Sequence, residues 1–214
     1  MPPSRVEVPR LLGKASSINV RKVLWLCAEL PLAIEHEAWG AGFRSTQTPE
    51  FLALNPNALV PVLRDGELVL WQSNTICRYL AARVGRSYLL PTAPAERARV
   101  EQWMDWQATE LNNAWRYAFM ALVRQSPAHT DANALAVSVA EWNRHMQILD
   151  SQLIKTGAYA AGAVFTLADV VLGLSTHRCF MTPMERPNLS AVQAYYERLS
   201  ERPAFLLHGR NGVP

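Results

Sequence analysis

Asn55-Pro56-Asn57-Ala58-Leu59-Val60-Pro61-Val62-Leu63-Arg64-Asp65-Gly66-Glu67-Leu68-Val69-Leu70-Trp71-Gln72-Ser73 is the stretch on which the fold turns. Two apolar runs, Leu59 to Leu63 and Leu68 to Trp71, are joined through Asp65-Gly66. Asp-Gly between apolar runs predicts a β-hairpin, because the pair supplies the positive φ of a type I′ turn. Pro61 removes a ladder donor from the first run, which confines it to an edge. The alternative is a cis Val60-Pro61 bond, only about 0.5–1 kcal/mol above trans. Asn55-Pro56-Asn57 ends a short helix expected over Pro49 to Leu54, and Ser73 opens a helix with Ile76, Cys77, Leu80 and Val84 on one face.

Towards the N-terminus, Val6 to Leu12 reads as a strand that Pro9 either weakens or confines to an edge. A polar loop, Lys14 to Asn19, leads into a helix whose Val20, Val23, Leu24, Cys27 and Leu30 share one face, and Pro31 ends it. Ala33 to Ala38 gives a second strand, followed by a loop from Trp39. The expected order over residues 1–84 is β-α-β-α-β-β-α, an α/β domain built on one mixed sheet. Leu90-Pro91-Thr92-Ala93-Pro94 reads as a stiff linker within residues 85–94. Residues 95–214 read as an all-α helical bundle, with amphipathic stretches at 95–124, 131–155, 166–181 and 188–201 between Ser-Pro, Ala-Gly and Arg-Pro breaks.

Composition excludes several function classes. Net charge is only +3, and Arg97 and Arg99 alternate with Glu96 and Glu101, a solvated helix face rather than a nucleic-acid stripe. No uncharged apolar run approaches the ~18–20 residues of a membrane span. The N-terminal residues lack the apolar core of a signal peptide, and three dispersed cysteines suit a reducing compartment, so the expectation is a cytoplasmic protein. The five histidines show no metal-ligand spacing and there is no CxxC, so no metal is expected. Gly40-Ala41-Gly42 lacks the third glycine of a dinucleotide loop.

Three places carry chemistry. Ser73 is an N-cap on one reading; on the other, its hydroxyl and the free N–H groups of a helix N-terminus hold a carboxylate, with Gln72 adding an amide. Ser16-Ser17-Ile18-Asn19 before the first helix is likewise a set of capping residues, or the edge of an anion site. In thioredoxin-like folds this second position holds the redox cysteines, and a cis-proline loop beside it pairs with a cysteinyl peptide as an added strand. Without a cysteine here, the thiol to be activated would come from a ligand. Thr166 and Asp169 form a capping box, a structural pair rather than a catalytic acid.

Taken with Phe165-Thr166-Leu167-Ala168-Asp169, the segments Ser16–Val23, Asn55–Leu63 and Leu70–Ile76 resemble soluble glutathione transferases over nearly the whole chain, and the serine-type bacterial and theta-like members above all. The resemblance implies a thioredoxin-like N-terminal domain, a helical C-terminal domain, a homodimer, glutathione as co-substrate and a role in detoxification. It implies Ser17 as the catalytic serine donating to the glutathione sulfur, with Asn19 assisting and Ser16 as the alternative. Val60 offers backbone hydrogen bonds to the cysteinyl part, beside a cis Pro61, while Gln72 and Ser73 hold the γ-glutamyl group. An electrophile pocket between the domains would use Trp106, Thr109, Asn113, Arg116 and Met120; the alternative for Trp106 and Met120 is interhelix core. Ala58 stands where relatives often have glycine or a polar ligand residue, Gln72 replaces a glutamate common in serine-type relatives, and Arg44 either meets the glycine carboxylate or is a solvated surface arginine. The leading function is transfer of glutathione to a small hydrophobic electrophile. The alternatives are glutathione-dependent peroxide or disulfide reduction, and a non-catalytic transferase-like binding protein.

Overall fold

The computed structural model describes residues 8–214. They divide into two compact units, one running through Arg86 and one starting at Ser87. The first contains β1 (Arg10–Leu12), α1 (Ile18–Glu29), β2 (Glu35–Glu37), α2 (Pro49–Leu54), β3 (Val62–Asp65), β4 (Leu68–Trp71) and α3 (Ser73–Arg83). The expected strand from Val6 shortens to Arg10–Leu12; Val6 and Glu7 lie outside the described residues. The sheet order is β2-β1-β3-β4, with β1 parallel to β2 and antiparallel to β3, and β3 antiparallel to β4.

Strand alternation assigns the two faces of this sheet. Leu12 and Val62 are paired across β1 and β3, and they pack with Trp39 and Phe51 on the side covered by α2. Thr48 caps α2 by accepting from the Phe51 N–H, and Pro49 takes the first helical position, where a missing N–H does no harm. Leu11 and Leu63 face the opposite way and are fully buried, and α1 and α3 pack on each other.

Two local expectations are corrected. The hairpin register pairs Asp65 with Leu68, so the two-residue turn is Gly66-Glu67 rather than Asp65-Gly66. Only Gly66 has positive φ there, +58°, which is the pattern of a type II′ turn and not of type I′. The second concerns α1, which is buried on more than one side: Trp25 and Leu26 are fully buried beside Val20 and Val23, whereas Leu24 is half-exposed. Arg21 and Lys22 are buried too, at 1% exposure each.

The second unit is helical throughout: α4 (Pro94–Trp106), a π turn (Gln107–Leu111), α5 (Asn112–Leu122), α6 (Ala132–Thr156), α7 (Leu167–Met181), α8 (Ser190–Ser200) and α9 (Pro203–His208). Ahead of α4, Leu89 and Leu90 are buried, and the Leu89 carbonyl accepts from the Leu167 N–H. Helix α7 is buried on all sides from Leu167 to Cys179, with Asp169, Ser175, Thr176, His177 and Arg178 included, rather than along the single apolar face expected of an amphipathic stretch. Asp169 seats its first turn: Oδ2 accepts from the Thr166 N–H and hydroxyl, and Oδ1 from the Ala160 N–H and the Tyr195 hydroxyl. No helix among the described residues is long and apolar enough to cross a membrane.

Candidate active site

Asn19, Val60, Pro61, Gln72 and Ser73 line one cleft of about 50 Å³, together with Asn55, Asn57, Leu59 and Trp71. The Val60-Pro61 peptide bond is cis. Three local features shape the walls: the loop ending in that bond, the start of α1 and the start of α3.

The loop is built around Asn55, which is 2% exposed. Its Nδ2 donates to the Leu59 carbonyl at 2.8 Å, and its Oδ1 accepts from the backbone and side-chain amides of Asn57 at 3.1 and 3.0 Å. The Asn55 carbonyl accepts from the Ala58 N–H, and Ala58 adopts φ +55°, in the left-handed region that glycine enters without a Cβ clash. Asn55 and Asn57 read in the sequence only as helix breakers. The signal for more was there: two asparagines flanking a proline can hydrogen-bond their own backbone.

Gln72, not Ser73, occupies the N-cap of α3, with φ +72° and ψ 110°. Ser73 is therefore the first helical residue, 6% exposed, and its hydroxyl donates to Asn19 Oδ1 at 3.3 Å. Behind it, Lys22 Nζ donates to Asn74 Oδ1 at 3.3 Å in the interior. Neither α1 nor α3 has an acidic residue in its first turn. Both helix starts thus keep the partial positive charge of their N–H groups available to an anion.

Ser17 is the N-cap of α1, and its carbonyl accepts from the Arg21 N–H. Its hydroxyl makes no capping hydrogen bond, so the reading of Ser17 as an ordinary side-chain cap does not hold. Ser17 is not itself a wall of the cleft; it sits two residues ahead of Asn19, which is. The cysteines of this unit take no part: Cys27 and Cys77 are buried, and burial pushes both thiols up to about 12.

The remaining expected residues lie elsewhere. Arg44 stacks over the Trp39 ring at 4.1 Å and lies 3.6 Å from Glu37, lining a separate 300 Å³ cleft beside α2. Trp106 is half-buried, its ring 5.6 Å from that of His145 and edge-on to Trp103 at 5.1 Å, so it takes part in packing α4 against α6. Thr109 lies in the π turn and donates to the Asp105 carbonyl; Asn113 and Arg116 are exposed, and Met120 is half-buried. Among the described residues no group of three or more His, Cys, Asp or Glu could hold a metal ion.

Residues 7–82 match the family model of the glutathione S-transferase N-terminal domain. The chain is 41% identical over 199 residues to glutathione S-transferase GstB of Escherichia coli strain K12, covering 91% of this chain and 94% of that protein. It belongs to the glutathione S-transferase family. A theta-class glutathione S-transferase of Xanthomonas axonopodis pv. citri, solved with glutathione bound, is 37% identical and superposes with a TM-score of 0.90, covering 97% of this chain and 99% of that one. Glutathione S-transferase 3 of Zea mays is 31% identical over 92% of this chain and 90% of its own length. The first unit of this glutathione S-transferase is accordingly the family's thioredoxin-like domain, and the helical second unit completes the family fold.

Proposed function

We propose that this glutathione S-transferase binds glutathione in the cleft between the starts of α1 and α3 and stabilises its thiolate for attack on a small hydrophobic electrophile. The observation that carries this reading is the convergence of Asn19, Val60, cis Pro61, Gln72 and Ser73 on one cleft, next to a serine whose hydroxyl is not spent on its own helix. In this account the Val60 backbone pairs with the cysteinyl residue as an added strand. Ser73, Gln72 and the free N–H groups of α3 hold the γ-glutamyl carboxylate and amine. The tripeptide then lies across the cleft with its sulfur towards α1.

Ser17 acts as a hydrogen-bond donor to that sulfur. A free thiol with a pKa of about 8.5 is only a few per cent thiolate at neutral pH. Lowering it by ~2 units takes about 2.7 kcal/mol of preferential thiolate stabilisation. A charge-assisted hydrogen bond together with a helix N-terminus is of that order. Serine keeps its proton throughout. Asn19, whose Oδ1 receives the Ser73 hydroxyl, assists at the same sulfur.

The working protein is a cytoplasmic homodimer serving detoxification. Peroxide or disulfide reduction would use the same thiolate and differs only in the atom attacked. The buried, unreactive cysteines speak for bound glutathione as the source of sulfur in either case. Calorimetric titration with glutathione tests binding, and light scattering tests the dimer. A panel of aryl halides, hydroperoxides and mixed disulfides then separates transfer from reduction; turnover of hydroperoxides alone would displace the transferase reading.

A further inference from the structure

Strand β2 is three residues long, and its side chains are exposed or half-exposed, so apolar burial does not explain its place beside β1. Its side chains make polar contacts. Glu35 and Glu37 both pair with Arg10. His36 reaches past the end of β1: its Nε2 lies 2.6 Å from the Gly13 carbonyl oxygen. A carbonyl can only accept, so Nε2 carries the proton and donates it. The Gly13 N–H donates in turn to the Glu37 carbonyl at 2.8 Å. Both polar groups of Gly13 are therefore held by β2.

Gly13 is where three parts of the site meet. It directly precedes the turn Lys14–Ser17, which closes through the Ser17 N–H on the Lys14 carbonyl at 3.0 Å. A Cβ on Gly13 would lie 2.5 Å from Val20 Cγ2 and 3.0 Å from Val60 Cβ. The residue is thus wedged between α1 and the Val60-Pro61 loop while β2 grips its backbone. The Ser17 hydroxyl makes no capping bond, so the backbone of this turn decides where it points.

We infer that His36 is a positioning residue for Ser17, acting through the Gly13 carbonyl. The inference rests on the reading of Ser17 as the donor to the glutathione sulfur. Hydrogen bonds weaken steeply with angle and distance, so a small drift of the turn takes the hydroxyl out of line.

The variant His36→Leu removes the donor at an exposed strand position, and His36→Thr, whose hydroxyl sits on Cβ and is too short to reach the Gly13 carbonyl, keeps strand propensity should Leu fold poorly. His36→Gln can restore the bond through its amide Nε2. In the Leu and Thr variants, amide exchange at Gly13 and Ser17 should quicken about tenfold and kcat should fall about three- to tenfold, with the KM for glutathione within about twofold. The thiol pKa of bound glutathione should rise in the same variants, and Gln should return all three readouts most of the way. Unchanged exchange and thiol pKa in the Leu and Thr variants would overturn the assignment, as would a rise in KM with kcat intact. A glutathione-binding wild type whose thiolate depends on Ser17 but not on His36 removes His36 alone. A wild type that binds no glutathione removes the reading of the cleft and this assignment together.

Discussion

The hydroxyl of Ser73 donates to Oδ1 of Asn19 across 3.3 Å, joining the first turn of α3 to the first turn of α1. The bond couples the end of the cleft assigned to the γ-glutamyl group with the end assigned to the sulfur. Residues sharing a hydrogen bond have non-additive effects. Asn19→Ala and Ser73→Ala should each weaken glutathione binding about three- to tenfold, and the double variant should lose clearly less than the product. A double-mutant cycle on the glutathione Kd checks this. Strict additivity would mean that the two side chains meet the ligand independently.

Gly13 has φ +151° and no room for a side chain. Gly13→Ala must displace Val20 or Val60 and strain the backbone, and it should destabilise the protein by roughly 2–3 kcal/mol. Urea denaturation measures the loss. Because Val60 is one of the groups displaced, glutathione affinity should fall even where the variant remains folded.

Ala58 shows the opposite case. At φ +55° it holds a conformation disfavoured by about 1–2 kcal/mol for a residue with a Cβ, so Ala58→Gly should be neutral or stabilise by up to about 1 kcal/mol. An Ala→Gly change at the exposed α6 position Ala140 should instead destabilise by about 1 kcal/mol. Thermal melts should leave the Ala58→Gly midpoint unchanged or raised and the Ala140→Gly midpoint lowered.

These residues also mark what could be read before the structure. The element order followed from Pro31, the Asn55-Pro56-Asn57 break and the glycine between two apolar runs, because each is a local backbone restriction that no distant contact overrides. Helix α2 has the bounds expected of it, Pro49–Leu54. The π turn was not legible. Its Gln107 is 1% exposed and donates to Ser175 Oγ at 3.0 Å, 68 residues away, and to Asn112. No pattern inside residues 95–124 announces such a partner, and helical periodicity alone gives one unbroken helix. Helix α9 was missed because its six residues are too few to show a period and no break like Asn55-Pro56-Asn57, which bounded the equally short α2, sets it off. At the cleft, residue types pointed to Asn19, Gln72 and Ser73. The Asn55 scaffold and the Ser73–Asn19 bond depend on tertiary placement.

Asp169 gives a pH prediction for the second unit. Burial raises its pKa from 3.8 to about 6, although hydrogen bonds from Ala160, Thr166 and Tyr195 oppose the shift. Between those values the folded state holds a proton that the unfolded chain releases, so the stability linked to this proton is full below about pH 4 and fades as pH rises through about 6. Asp169→Asn is less stable at every pH, because its amide group turns donors towards Thr166 donors. The advantage of the wild type over this variant should shrink by up to about 3 kcal/mol from about pH 4 to about pH 7. Urea titrations across that range provide the check, and an advantage that grows with pH would contradict the shift.

In the function proposed above, Ser17 polarises a sulfur the protein does not own. Ultraviolet titration of the thiolate in bound glutathione, on wild type and Ser17→Ala, tests it most directly. The wild-type thiol pKa should lie about 2 units below its free value and the Ser17→Ala value should return most of the way, with glutathione still bound. A Ser17→Ala protein that binds glutathione and forms thiolate as readily as the wild type would contradict it.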